Sequence, residues 1–176
     1  CVQNGPHNCY AKKGVTYEEM LYIGAVTALH NNGLYDDADE AFISGISQGY
    51  LPFSFEEEES QYVLDLHGMN VAMAHSAVRV AMRQQVSRSE GQEACNMMII
   101  TGRGRNSELR MRPVLRPEVQ RMLLEEFYPP LNTISAPGNM GALIVLADGI
   151  SEWQAHQQEQ KGVRMLTLAA LLKNLS

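Results

Sequence analysis

Cysteine is scarce: the three in the chain, Cys1, Cys9 and Cys95, make no C-x-x-C pair. A structural zinc site and a disulfide framework therefore do not fit. No apolar run approaches the ~18 residues that a membrane-spanning helix needs. Aromatic residues are few, at 7% with a single tryptophan, Trp153, and they form no pattern of the kind that lines an RNA-recognition sheet. Trp153 and the ten methionines read as packing. Lysine is absent between Gly14 and Gln160. The first residue is Cys1 rather than Met, which reads as a fragment of a longer chain. The 176 residues suffice for one medium domain, or a small one with a helical attachment. With 45% apolar and 19% charged residues, the composition is that of a folded chain and not of a disordered one.

The formal charge of −6 is unevenly spread. From Cys1 to Gln61 two lysines face ten acids. From Tyr62 to Glu152 nine arginines balance nine acids, and Thr101 to Arg121 alone holds six arginines against Glu108 and Glu118. Nucleic-acid binding answers to such a local patch more than to the whole-chain charge. Arginine offers phosphate a planar fork that grips two oxygens at once.

Apolar spacing changes along the chain. Val26 and Leu29, then Ala38, Ala41, Phe42 and Ile46, recur at helical intervals on either side of Asn31-Asn32-Gly33, a strong turn signal. Gly49 and Pro52 close the second helix. Such a hairpin is one unit of a helical repeat and needs stacked neighbours to bury its faces. Glu56 to Glu59 reads as a solvated linker. Tyr62 to His67 then alternates as a strand, Asn70 suits a helix N-cap, and Val71, Ala74, Val78, Ala81 and Met82 make a helical stripe. Asn96 to Thr101 fits a buried strand, Pro117 to Phe127 a helix stopped by Pro129-Pro130, and Thr133–Ala136 and Ala142–Leu146 two more strands. Ser151 with Gln154 reads as the capping box of a terminal helix. The expected fold is therefore α/β: a small two-layer α/β sandwich (β-α-β-α-β-β) preceded by a helical-repeat hairpin. The expected divisions are 1–55 for the repeat segment, 56–61 for the acidic linker, 62–153 for the α/β domain and 154–176 for a C-terminal helix or tail.

Two groups could carry chemistry. Asp65 and His67 lie two apart at the C-terminal end of a strand, the edge where ligands bind in α/β folds. A carboxylate beside an imidazole orients it and raises its basicity, as general acid–base catalysis requires. The competing reading is a hydrogen-bonded structural pair at a strand end. The second group is Thr101-Gly102-Arg103-Gly104-Arg105-Asn106-Ser107, which also follows a buried strand. Glycines let the backbone approach an anion, and Arg103 and Arg105 add charge there, with Arg110 and Arg112 close behind. The spacing is neither that of a Walker loop nor that of a dinucleotide fingerprint. Two neighbouring parallel strands would bring both groups to one edge. The other histidines (His7, His30, His75 and His156) show no zinc-ligand spacing, and His75 reads as a surface side chain.

From about Tyr62 to Trp153 the chain resembles an Smr (small MutS-related) domain. Leu64-Asp65-Leu66-His67-Gly68 is that family's first motif intact, and Thr101-Gly102-Arg103-Gly104 is similar to its glycine loop. The Thr variant, the basic insertion and Gly138-Asn139-Met140-Gly141 resemble the plant and algal subgroup fused to pentatricopeptide repeats. Ala25 to Phe53 is similar to such a repeat. Arg103 departs from that subgroup, which often has Trp there. The resemblance implies an endonuclease module acting on single-stranded RNA, with DNA nicking as a variant. Asp65 and His67 would be the catalytic pair, and Gly102 to Gly104 the backbone-holding loop. Asp65 would orient the histidine or bind a metal, for which magnesium is the ion to test. Further repeats would precede the hairpin, and the parent protein would reside in a chloroplast or mitochondrion. The alternative is a non-cleaving RNA-binding or adaptor module at the end of a repeat array. A protein–protein scaffold is a third reading.

Overall fold

The computed structural model describes residues 15–58, 61–88, 94–102 and 113–173. Helix α1 (Tyr17–Asn31) starts where the Thr16 hydroxyl accepts from the Glu19 amide at 3.1 Å, with Glu18 and Glu19 set against the helix dipole. It ends at Gly33, whose φ of 75° lets its amide reach His30 O and the Leu34 amide reach Leu29 O, both at 3.0 Å. Helix α2 (Tyr35–Ser47) closes in the same way: Gly49 (φ 77°) donates to Ile46 O, and Tyr50 to Gly45 O. The turn and stop signals in the sequence are these two left-handed caps. Val26, Ala38, Phe42 and Leu51 fill the hairpin's core, and Tyr22 stacks on Tyr50 with ring centroids 5.8 Å apart.

Five strands form one sheet in the order β1-β2-β3-β5-β4. Strand β2 (Gln61–Asp65) pairs in parallel with β3 (Asn96–Ile100), joined by the crossover helix α3 (Val71–Arg88). Helix α4 (Leu115–Glu125) follows β3, and β4 (Thr133–Ser135) with β5 (Ala142–Val145) forms an antiparallel pair laid on β3 through β5. Phe55, Tyr62, Leu64, Leu66, Met97, Ile99, Leu143 and Val145 share one face and are buried in a single core with α3 and with Val119, Met122 and Leu123 of α4. Each wholly buried leucine contributes about 2 kcal/mol. Val63, Met98, Ile100 and Ile144 on the opposite face are half-buried. The architecture is the expected two-layer α/β arrangement with a helical hairpin in front.

Four expectations are corrected. Glu56, Glu57 and Glu58 do not belong to a linker: with Ser54 and Phe55 they form the edge strand β1 (Ser54–Glu58), antiparallel to β2. Phe55 buries against Tyr62 with stacked rings at 5.2 Å, while Glu56 and its neighbours keep the outer edge charged, a guard against edge-to-edge pairing. The terminal helix α5 (Ala147–Lys173) begins before Ser151, so Ser151 and Gln154 lie inside it and do not mark its start. It also crosses the 153/154 boundary, and Trp153 packs edge-on against Phe127 at 5.6 Å. His75 is no surface residue: it is 1% exposed. Helix α3 is covered by the sheet on one side and by the α1–α2 hairpin on the other, so a single apolar stripe understates its burial.

Candidate active site

Strand β2 delivers Asp65 to the sheet edge, and the chain turns at once. The Leu66 amide donates to Ile100 O at 2.9 Å, extending the parallel pairing by one residue, and the Leu66 side chain is fully buried. With Leu66 anchored inward, Asp65 and His67 face away from the core. Gly68 takes a φ of 81°, and Asn70 caps α3 by accepting from the Met73 amide at 2.9 Å. The histidine is thus held between a strand end and a helix start.

His67 Nδ1 lies 2.6 Å from Asp65 Oδ1 and 2.7 Å from Oδ2, and the His67 amide donates to Oδ1 at 2.9 Å. The carboxylate fixes both the ring and the backbone that carries it. Nδ1–H directed at Asp65 leaves proton transfer to Nε2. The two side chains are 49% and 27% exposed, so a substrate can reach them.

Strand β3 ends beside them. Gly102 has a φ of 73°, and a β-carbon placed on it would stand 3.8 Å from His67 Cβ. The Thr101 and Gly102 amides both donate to Gly141 O, at 2.8 and 3.1 Å, and the buried Thr101 hydroxyl donates to the same oxygen at 3.1 Å. The Gly102 N–H is therefore spent within the protein and does not face an anion. Its role in the edge is its conformation and its lack of a side chain beside His67.

The β4–β5 turn makes the third wall. Asn139 Oδ1 accepts from the Gly141 amide at 3.0 Å. Arg116, at the start of α4, donates through Nη1 to Met140 O (2.6 Å) and Ala142 O (3.3 Å), and through Nη2 to the Ser135 hydroxyl (2.7 Å). Sequence reasoning counted Arg116 only as local charge, and quoted Asn139 and Gly141 for the family resemblance without giving them a place in the site. Two glycines around Asn139 within four residues were the available signal of a tight turn.

Of the predicted residues, the structure brings Asp65, His67 and Gly102 together. Arg103, Gly104, Arg105, Arg110 and Arg112 lie outside the described residues. Among the described residues no three of His, Cys, Asp and Glu gather as an ion site. Both Asp65 oxygens are engaged by His67, a geometry that suits the orienting role. Residues 64–148 match the family model of the Smr domain, a nucleic-acid-binding domain of endonuclease type. The matched span contains Asp65 and His67, Gly102 and the Asn139–Gly141 turn. No curated protein matches the chain.

Proposed function

We propose that the chain is an endonuclease module that cleaves phosphodiester bonds of single-stranded RNA at the edge formed by Asp65, His67 and Gly102. The observation that carries this reading is the oriented imidazole, 2.6 Å from its carboxylate, beside Gly102, which sets no side chain against it. His67 Nε2 accepts the proton of the attacking 2′-hydroxyl or water as the new O–P bond forms. It then returns that proton to the oxygen that leaves as the old P–O bond breaks. Asp65 holds the ring through both states. With the Gly102 amide committed to Gly141, charge neutralisation on the phosphoryl oxygens is assigned to the arginines that follow it in the sequence, Arg103, Arg105, Arg110 and Arg112.

The test is a nicking assay on labelled single-stranded RNA and on plasmid DNA, with and without magnesium. Wild-type chain cuts RNA, and His67→Ala loses the cut. Equal cleavage by the two overturns the assignment. A non-cleaving RNA-binding module is the second reading, favoured by the outer side of α1. There Tyr17, Met20 and Leu21 are each more than half exposed, as on a helix awaiting another helical layer. Under both readings Arg103→Ala and Arg105→Ala each flatten the salt dependence of RNA affinity by about one counterion. Only the cleaving chain depends on His67 for product.

A further inference from the structure

We propose that Met140 is a nucleobase contact: an apolar platform, held rigidly at the site edge, against which the base next to the reacting phosphate lies. This rests on the reading of the edge as a nucleic-acid site and names a contact within it.

Met140 is 82% exposed, the highest value among the exposed large apolar residues. One exposed apolar side chain on a loose loop would mean little. This one stands on a turn fixed from four directions. Gly138 takes a φ of 70°, and the Asn139 amide donates to Ala136 O at 3.2 Å. The Asn139 side chain holds the Gly141 amide, and Gly141 O receives Thr101 and Gly102. Arg116 grips Met140 O itself. The backbone of Met140 is thus tied on both sides while its side chain is left in water.

Its neighbours place it. Gly141, the next residue, is bonded to Gly102 at 3.1 Å, and Gly102 approaches His67. A strand with its phosphate at His67 passes this turn with an adjoining nucleoside. A thioether side chain is polarisable and adaptable, so it can cover the flat face of any base without selecting one. It would supply apolar contact beside the His67 imidazole. Arg116 is the positioning residue, since it touches the turn and not the substrate.

The experiment measures binding of labelled single strands to the full chain by fluorescence anisotropy, using RNA, DNA and an RNA carrying abasic sites. Met140→Ala is expected to weaken RNA binding about fivefold, while Met140→Leu, which keeps the apolar volume, stays within about twofold of wild type. On the abasic strand wild type and Met140→Ala bind alike. In an Arg116→Gln background the Met140→Ala penalty shrinks, because the two residues act through one turn. Wild-type affinity in Met140→Ala, or an equal loss on the abasic strand, overturns the contact. Full additivity with Arg116→Gln overturns the positioning role. A wild-type chain that binds neither RNA nor DNA overturns the reading of the whole edge, and that failure is distinct from a Met140 variant that binds normally.

Discussion

The Arg79 guanidinium clasps the Asp39 carboxylate, with Nε 3.0 and 2.9 Å from its two oxygens and Nη2 2.8 Å from Oδ1. Asp39 lies on α2 and is wholly enclosed, while Arg79 lies on α3 of the α/β domain. Arg83 adds a contact to Asp39 Oδ2 at 2.9 Å, and Arg79 reaches Glu126 and lies over the Tyr35 ring. The charge pair therefore joins the hairpin to the domain. Asp39→Ala leaves the buried guanidinium only its longer contact to Glu126 and is expected to cost roughly 3 kcal/mol. The double variant Asp39→Ala/Arg79→Met should recover most of that loss. Urea unfolding midpoints check both, and a cost below about 1 kcal/mol for Asp39→Ala would show that the pair does not hold the interface.

The same interface carries a pH dependence. His75 is buried with neither ring nitrogen hydrogen-bonded, and its ring meets that of His30 edge-on at 5.0 Å. Burial, with the neighbouring His30 and Arg79, pushes His75 down from 6.5 to about 4. Burial and Arg79 lower His30 as well. A folded-state value below the unfolded one means that the unfolded chain takes up the proton first as pH falls. The stability is therefore complete above about pH 6.5 and is lost progressively down to about pH 4, by at most about 3 kcal/mol for His75. His75→Phe should flatten the profile of melting temperature against pH across that window. A profile equally steep in wild type and His75→Phe would assign the effect to other groups.

The sequence made the local events legible. Gly33 and Gly49 announced two helix ends because only a left-handed residue closes those caps, and Asp65, Leu66 and His67 announced a strand end by alternation. What it hid were outcomes of assembly. His75 looked exposed because periodicity along one helix cannot reveal that a second layer, the hairpin, covers its other side. Glu56 to Glu58 looked like a linker because an edge strand with a solvated rim spends its charges on the outside, and its one buried contact, Phe55, precedes the run. The commitment of the Gly102 amide to Gly141, 39 residues away, has no local signature at all.

Gly45 tests how tightly α2 is seated. A β-carbon there would stand 2.6 Å from Leu51 Cδ1, 2.7 Å from its Cγ and 3.0 Å from Tyr22 Cγ. In an open helix Gly→Ala gains about 1 kcal/mol. Here Leu51 is buried at 5% exposure and cannot swing clear without disturbing the hairpin's core. Overpacking of this kind costs about 1–3 kcal/mol, so Gly45→Ala is expected to be neutral to destabilising despite the better helix former. A variant that melts higher than wild type would mean that Leu51 has room to move.

Asp65→Asn separates chemistry from stability. The pair is partly exposed, so losing its charge should shift stability by no more than about 0.5 kcal/mol. The consequence for the imidazole is larger. A side-chain amide that turns its NH2 toward Nδ1 makes that nitrogen an acceptor and moves the ring proton to Nε2, the nitrogen needed as base. Cleavage should fall by about a hundredfold to ten-thousandfold, the usual range for general acid–base assistance, while RNA affinity and melting temperature hold. Asp65→Ala, which frees the ring, should lose a comparable amount of cleavage. If Asp65→Asn cuts RNA at the wild-type rate with His67 still required, the carboxylate is a strand-end brace and the histidine works without it.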